Sequence, residues 1–383
     1  MKILILGAYE SCNLGDGVIC QCVANRLQSR FPDARIEIRD LLDRDRSSPR
    51  KEPVPDALRS RWLHELARDY ASRLGWDKTL AHEESRVKKQ LGYIDHVCGM
   101  DCDGVVFAGG QLLMDRYALF LERYVAGFGK RGIPMFFNAC GTGPSPSAAI
   151  GRRLKKTLAD PNVRFISCRD HVDLVNDRYM TGEKRVVFAA DPALWTAEVY
   201  GIQKDAASDT IGLGVMYPWG MDVKRVLRFW RGVIRCLDQA GKKWKIFTNG
   251  DPADITFAKM ILETLPWGEE HILPRDTEPE KLVKTIAGFS GIISFRLHSH
   301  IIAICLDIPT VCVVWDDKLP EFFGRLGIAH RCRNVGSKPE QVLPALEQAA
   351  REGYDRTVLE KLARDSLDLL VCALCDAFPE EAT

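Results

Sequence analysis

The fold class of this chain is decided by residues 2–39, KILILGAYESCNLGDGVICQCVANRLQSRFPDARIEIR. Residues 2–6 form a short apolar run that predicts a strand, and residues 13–16 have the small and polar side chains of a turn. Residues 17–31 carry apolar side chains at helical spacing, and residues 34–39 alternate as a second strand does. This order of strand, turn, helix and strand opens a parallel sheet, so we predict an α/β fold.

The same alternation continues to about residue 189 and begins again near residue 210. The intervening residues 201–208 are polar and rich in turn formers, which predicts a domain boundary. A chain of 383 residues is also long enough for two domains, each with its own core. We therefore predict an N-terminal domain at 1–204, a C-terminal domain at 205–350 and a helical tail at 351–383. Two such domains bind ligands in the cleft that faces the carboxyl ends of their strands.

Charge and hydropathy argue against nucleic-acid binding and against a membrane-spanning segment. The formal net charge is +1, from 53 basic and 52 acidic residues, and no polybasic block indicates nucleic-acid binding. The charged run 39–51 is interpreted as a solvated loop. The opening MKILILG fits a first strand rather than a signal peptide, and no stretch approaches the roughly 20 apolar residues of a membrane span. The sequence does not show whether the protein associates peripherally with a membrane.

Thirteen cysteines also need an interpretation. Cys372 and Cys375 form a single CxxC within the helical apolar stretch LLVCALCDAF, whereas a metal site would need a second such pair or spaced histidines. We interpret these two as buried free thiols and predict no metal site. Many unpaired cysteines without a signal peptide indicate a reducing compartment, and hence a cytoplasmic location.

Loops after predicted strands supply the first candidate site residues. In the loop at 7–16, small residues allow a close backbone approach and the following helix N-terminus favours an anion, although Asp16 is equally well explained as a helix N-cap. Gly109 and Gly110 follow the strand GVVFA and allow a ligand to come close, or they serve tight strand-to-helix packing.

Charged residues after later strands point to an anion. Arg169 ends a buried strand, and it needs either Asp170 or an anionic ligand as a partner. Arg296 and His298 lie two residues apart where a strand meets a helix, so they combine a bidentate anion ligand with a group that exchanges protons near neutral pH. Lys318 follows the next strand and could reach the same anion, unless it is an ordinary exposed lysine.

These motifs occur in an order that resembles one family of enzymes. The quoted pieces are NLGD at 13–16, the glycines after GVVFA, GTGP at 141–144, SCRD at 167–170, DPAL at 191–194 and SFRLHSHIIAICLDIPTV at 294–311. Together they resemble the polysaccharide pyruvyl transferases over residues 2–327, and the last segment is the most specific. One departure is Ala108, which stands where the family usually has the first of three glycines. Residues 39–97 have no counterpart in this resemblance and could help to select the acceptor.

The resemblance implies two Rossmann-like domains that face each other across a cleft, as in the two-domain (GT-B-like) glycosyltransferases. It also implies phosphoenolpyruvate as the donor, a hexose acceptor and a pyruvate ketal as the product, with no cofactor. The donor would bind on the C-terminal side and the acceptor on the N-terminal side. Carried over by position, the donor residues are Arg169, Arg296, Lys318 and Ser299, and the catalytic residues are His298 and Asp16. The residues assigned to the acceptor or the cleft are Asn13, Gly15, Gly109, Gly110 and Gln111.

The chemistry agrees with these residue types. Phosphoenolpyruvate carries a carboxylate and a phosphate, so its site needs several cations. His298 could protonate the enol methylene, a role worth about 10²–10⁴-fold, and Asp16 could accept a hydroxyl proton. Two alternatives stay open: a nucleotide-sugar-dependent glycosyltransferase of similar fold, and a catalytically inactive binding module. The sequence also leaves open which sugar is the acceptor and whether it is lipid-linked.

Overall fold

The computed structural model describes residues 1–46, 51–73, 78–143, 145 and 147–381. Pro144, the last residue of the GTGP motif, lies outside these residues, as does part of the charged run at 47–50. The strands are β1 (Lys2–Gly7), β2 (Arg35–Asp40), β3 (Gly104–Ala108), β4 (Met135–Cys140), β5 (Val163–Cys168), β6 (Val187–Phe188), β7 (Thr210–Gly214), β8 (Lys243–Phe247), β9 (Gly291–Ser294), β10 (Thr310–Val314) and β11 (Cys332–Asn334).

Helices connect the strands on both sides. They are α1 (Leu14–Arg30), α2 (Pro55–Arg73), α3 (Lys78–Lys89), α4 (Leu91–Gly99), α5 (Asp115–Gly129), α6 (Ala148–Leu158), α7 (Val172–Tyr179), α8 (Thr196–Tyr200), α9 (Val223–Gln239), α10 (Pro252–Leu262), α11 (Pro279–Ala287), α12 (Leu297–Cys305), α13 (Lys318–Arg325), α14 (Val342–Glu352) and α15 (Arg356–Ala377). None of the described helices is both long and apolar enough to cross a membrane.

The strands form two parallel sheets. The first has the order β2-β1-β3-β4-β5-β6 and the second has the order β11-β10-β9-β7-β8. All strands run parallel to their neighbours, because each is connected to the next by a crossover. The predicted α/β class is therefore confirmed. The last strand of the first sheet ends at residue 188, and the first strand of the second sheet begins at residue 210. The predicted boundary at 204/205 lies within this interval and stays a prediction.

The apolar runs of the sequence become the interiors of the two sheets. Strands β3 and β4 are buried at every position, as expected for central strands covered on both faces. Helix α15 packs against β4, β5 and α1, so the C-terminal tail lies on the first sheet.

Residues 51–58 connect the two units directly. Leu58 is 2% exposed and packs within the core of the second sheet, although it belongs to the chain between β2 and β3. The Thr256 hydroxyl in α10 donates a 2.7 Å hydrogen bond to the Pro53 carbonyl. This segment therefore bridges the two sheets beside the cleft.

Some local predictions were wrong. Asp16 lies in the first turn of α1, whose N-cap is Asn13, so Asp16 does not cap the helix. The described part of the charged run is not simply solvated, because Leu41 and Leu42 are buried and Arg44 is held in a part-buried ion pair. In the CxxC motif Cys372 is exposed and Cys375 is only half-buried, so neither is the buried thiol that was predicted.

Candidate active site

A cleft of about 570 Å³ lies between the carboxyl ends of the two sheets. Its walls come from the loops after β1, β2, β3 and β5 of the first sheet and after β8, β9 and β10 of the second. The bridging segment 51–58 also contributes. The polar and charged residues that line it are Ser11, Asn13, Asp16, Arg44, Lys51, Gln111, Arg116, Arg169, Asp251, Arg296, His298 and Lys318.

The loop after β1 meets the second sheet at the start of α1. The Leu14 amide donates a 2.9 Å hydrogen bond to the Asn249 carbonyl, which follows β8. The Asn13 side-chain amide lies 3.3 Å from the Asp16 carboxylate, and both side chains line the cleft. The predicted pair Asn13 and Asp16 is therefore placed where both units contribute to one surface.

His298 is held between the two units. It lies in the first turn of α12, just after β9, and is 5% exposed. A side chain at Gly15 would place its Cβ 2.2 Å from His298 Nδ1, so only glycine lets the ring lie against α1. On its other edge, His298 Nε2 lies 3.1 Å from an Arg169 guanidinium nitrogen and 3.5 Å from Asp191 Oδ2. Arginine can only donate, so a neutral His298 accepts this hydrogen bond at Nε2.

Asp191 belongs to the site, but the sequence analysis did not identify it as a site residue. It is buried, forms a close ion pair with Arg169 and caps the turn that follows it by accepting a hydrogen bond from the Ala193 amide. Burial alone would raise the pKa of Asp191, but Arg169 and His298 hold this pKa well below its usual range. The DPAL motif that contains Asp191 was the only available signal.

The partner predicted for Arg169 therefore needs correcting. Asp170 Oδ2 lies 3.7 Å from Arg169 Nε, which makes it a secondary partner. Its other oxygen accepts hydrogen bonds from the Thr142 amide (2.8 Å) and hydroxyl (2.9 Å). Asp170 thus fixes the loop after β4, while Asp191 neutralises the arginine.

Arg296 has a similar environment on the second sheet. Its guanidinium pairs at 2.5 Å with Asp254, a fully buried carboxylate in α10 that also accepts a 2.9 Å hydrogen bond from the Tyr217 amide. Burial raises the pKa of Asp254 to about 6, although the charge of Arg296 opposes this rise. The pair is ionised at neutral pH and holds Arg296 at the edge of the cleft.

Lys318 is buried rather than an ordinary exposed lysine, since it is only 6% accessible. Its ammonium group lies 3.3 Å from Asp316 and 4.6 Å from the centre of the Trp315 ring. Burial lowers the pKa of Lys318, while Asp316 raises it. Lys318 is the first residue of α13, and its ammonium group can bind an anion that enters the cleft.

Several buried polar atoms around this centre lack a hydrogen-bond partner among the described residues. They include Arg169 Nε, Arg296 Nε, Asn13 Oδ1, Asn249 Nδ2 and Asp170 Oδ2, the last of which lies 3.7 Å from Arg169 Nε. Buried polar groups are normally satisfied, so such a concentration marks a place for ligand or water. Arg169 Nε faces the Asp170 carboxylate, whereas Arg296 Nε is a donor that fits an anionic ligand.

The structure does not bring every predicted residue to the cleft surface. Ser299 is fully buried, and its hydroxyl donates a 2.7 Å hydrogen bond to Asn249 Oδ1. Gly109 has φ +38° and lies so close to Ile19 that it serves the packing of α1. Gly110 adjoins Asp16, and Gln111 lines the cleft while donating to the Thr142 carbonyl at 2.8 Å.

Metal ligation has no evident place in the described part of the chain. No group of three or more histidine, cysteine, aspartate or glutamate side chains there is arranged to hold an ion. The positive charge of the cleft comes instead from side chains, each arginine or lysine at its centre backed by a carboxylate.

Comparison with known proteins gives a family and a fold. Residues 13–317 match the family model described as polysaccharide pyruvyl transferase. No curated protein matches the chain.

Solved structures share the architecture at low sequence identity. UDP-N-acetylglucosamine 2-epimerase from Rickettsia bellii is 14% identical with a TM-score of 0.56, and the alignment covers 98% of this chain and 96% of that one. The Methanocaldococcus jannaschii enzyme is 12% identical with a TM-score of 0.56, covering 91% and 93%. The Neisseria meningitidis enzyme, bound to UDP-GlcNAc, is 10% identical with a TM-score of 0.55, covering 97% and 100%. These likenesses confirm the predicted fold of two Rossmann-like domains across a cleft, of GT-B type.

Proposed function

This chain belongs to the polysaccharide pyruvyl transferase family, and we propose that it transfers pyruvate from phosphoenolpyruvate to a hexose of a polysaccharide or its precursor. The product is a cyclic ketal on two neighbouring hydroxyls, with release of inorganic phosphate. The observation that carries the proposal is the position of His298. It is the histidine of the cleft, and it lies 3.1 Å from Arg169 in the wall that also holds Arg296 and Lys318.

Donor binding follows from the charges. Phosphoenolpyruvate has a carboxylate at one end and a phosphate at the other, and Arg169, Arg296 and Lys318 offer cations from two different sheets. Asp191 and Asp254 hold the two arginines in place, so less side-chain entropy is lost when the anion binds. Arginine suits this role because its fork matches a carboxylate or phosphate in a bidentate manner.

Proton transfer follows from His298 and Asp16. His298 donates a proton to the enol methylene, which becomes the methyl group and leaves oxocarbenium character on the central carbon. One sugar hydroxyl attacks that carbon and gives its proton to a base, for which Asp16 is the cleft-lining carboxylate contributed by the first sheet's helix α1. Phosphate leaves, the neighbouring hydroxyl closes the ketal, and its proton leaves with the phosphate. Asp191 gives a protonated His298 an acceptor 3.5 Å away.

The proposal needs no metal or other cofactor, because arginine and lysine supply the charge that balances the phosphate. It places the protein in the cytoplasm, where the thirteen cysteines would stay reduced. None of the described cysteines is disulfide-bonded.

The test is product formation from a panel of acceptors. Purified protein is incubated with phosphoenolpyruvate and methyl glycosides of galactose, glucose, mannose and N-acetylmannosamine, and in parallel with the 1-phosphates of the same sugars. Phosphate release and the mass of each glycoside are measured, and UDP-sugars replace phosphoenolpyruvate in parallel reactions. The expected result is acceptor-dependent phosphate release together with a ketal-linked pyruvate. That activity should be lost in His298→Ala and kept in His330→Ala, an exposed histidine outside the cleft.

Nucleotide release from a UDP-sugar, without phosphate release from phosphoenolpyruvate, would instead support a glycosyltransferase. His298→Ala with wild-type turnover would remove the histidine from the mechanism.

A further inference from the structure

A third arginine of the cleft is paired with a buried carboxylate, as Arg169 and Arg296 are. Arg44 follows β2 and lines the cleft from the first sheet. Asp40, a buried carboxylate at the end of that strand, accepts hydrogen bonds from its Nε at 3.0 Å and from its Nη2 at 2.7 Å. Asp40 is itself fixed by the amides of Glu10 at 2.7 Å and Leu42 at 2.8 Å. The guanidinium is therefore held rigidly in one orientation.

Arg44 belongs to the same electrostatic centre as the donor arginines. Burial opposes the charge of all three arginines, but their paired carboxylates raise the pKa of each, and Asp16 contributes to the rise for Arg44, Arg169 and Arg296 alike. Asp16 thus lies within interaction range of three separate guanidinium groups.

A purely structural role for Arg44 would explain its ion pair with Asp40, but it would not explain why the Arg44 side chain lines the cleft. Arg46, two residues further on, shows what such a role looks like: it pairs with Glu10 at 2.8 Å and donates to the Tyr9 carbonyl at 2.8 Å. Arg46 does not line the cleft, whereas Arg44 does. The same wall also carries the exposed cations Lys51 and Arg116.

The donor does not need this additional cation. Phosphoenolpyruvate presents two anionic groups, and Arg169, Arg296 and Lys318 already supply positive charge for both. Arg44 follows β2, the edge strand of the first sheet, whereas Arg169 follows β5 towards the other edge, so Arg44 lies on the part of the wall that is left for the acceptor. Asp40 balances the charge of Arg44, but the exposed Lys51 and Arg116 add further positive charge to the same wall, which an anionic ligand can face.

Building on the proposed function, we infer that Arg44 binds an anionic group carried by the acceptor saccharide, which is a phosphate ester or a carboxylate. The group lies next to Asp16, so it positions the reacting hydroxyls beside the base. The acceptor class is therefore an acidic or phosphorylated saccharide rather than a neutral glycoside.

Calorimetry tests this in the presence of saturating phosphoenolpyruvate, so that the donor cations are occupied. Inorganic pyrophosphate is titrated as the phosphate probe and glucuronate as the carboxylate probe, with methyl glucoside as the neutral reference. The variants are Arg44→Gln, which keeps a hydrogen-bond donor for Asp40, and the matched control Arg46→Gln. Direct titration of each variant with phosphoenolpyruvate reports the donor site separately.

We expect one of the two anions to bind the donor complex and the neutral sugar not to bind. Arg44→Gln should weaken that binding by about 10- to 100-fold, since hydrogen bonds to charged groups are strong, while Arg46→Gln leaves it unchanged. Both variants should bind phosphoenolpyruvate as the wild type does. The anion that binds identifies the acidic group as phosphate or carboxylate.

The inference is overturned if neither anion binds the donor complex, or if Arg44→Gln binds the probe as tightly as the wild type. Should Arg44→Gln not fold, Arg44→Lys replaces it, because lysine keeps the charge beside Asp40 but lacks the fork. A several-fold loss of probe affinity is then expected, and wild-type affinity would again overturn the inference. Failure of phosphoenolpyruvate itself to bind would count against the proposed function instead.

Discussion

Replacing Asp191 with asparagine should damage both the stability and the activity of this protein. Asp191 is the buried carboxylate that neutralises Arg169 and faces His298 Nε2 at 3.5 Å. Asparagine has nearly the same shape and keeps one acceptor oxygen, so the cavity is unchanged and the charge alone is lost. Arg169, whose side chain is 5% exposed, then keeps the Asp170 carboxylate at 3.7 Å as its ion-pair partner.

The magnitude follows from burial. Removing one partner of a buried ion pair costs about 3–5 kcal/mol, and the remaining interaction with Asp170 favours the lower end of that range. The low pKa of Asp191 sets the pH range of this effect. A carboxyl group whose pKa is depressed in the folded state stabilises the fold above its unfolded value of about 3.9, and this contribution disappears as the pH falls below that value. The loss should therefore be constant from pH 5 to 8.

Urea unfolding at pH 7.5 measures the free energy, and kcat is measured alongside. The matched control is Asp307→Asn, which removes a carboxylate from the exposed pairs with Lys204 and Arg356 and keeps a residue type that tolerates the left-handed backbone at φ +59°. We expect this control to lose less than about 1 kcal/mol in free energy of unfolding. For Asp191→Asn we expect about 3 kcal/mol and a fall in kcat of about 10²–10⁴-fold, because His298 loses its charged partner. A loss below about 1 kcal/mol with unchanged kcat would refute the reasoning.

Three further predictions concern the same centre. Gly15→Ala should displace His298 and abolish turnover, because the new Cβ would lie 2.2 Å from the ring, whereas Gly92→Ala, with nothing within 4 Å, should leave turnover unchanged. Phosphoenolpyruvate affinity should fall as the pH drops through about 6, because Asp254 then takes up a proton and releases Arg296; Asp254→Asn should bind weakly and lack this component. Turnover should be unaffected by EDTA, and its loss on chelation with recovery on adding a divalent ion would contradict the proposed chemistry.

The sequence was a good guide where one local pattern determines the structure. Strands such as β3 are continuous apolar runs, and their ends fix where parallel strands place the following loops. Arg169, Arg296, His298 and Lys318 all follow such strands, so their convergence on one cleft could be predicted from chain order. Short elements such as α8 were not predicted, because five residues give too little periodicity.

The sequence was a poor guide to the carboxylates behind these cations. Asp191 lies 22 residues from Arg169 and Asp254 lies 42 residues from Arg296, so each pair depends on how the sheets fold rather than on local spacing. Asp170 was the natural prediction for Arg169 because it is adjacent in sequence, yet adjacent strand-end residues point in different directions. Arg44 was not predicted as a site residue for a related reason. It lies in a charged loop without apolar periodicity, and such a loop is normally interpreted as solvated.

The central claim is that the cleft is a phosphoenolpyruvate site built on Arg169 and His298. Calorimetric titration of the purified protein with phosphoenolpyruvate, with UDP-GlcNAc in parallel, tests it most directly. We expect phosphoenolpyruvate to bind the wild type, Arg169→Gln to weaken the affinity by about tenfold or more, and His298→Ala to leave it nearly unchanged. Binding of UDP-GlcNAc alone, or an unchanged phosphoenolpyruvate affinity in Arg169→Gln, would show that the cleft is not a phosphoenolpyruvate site of this kind.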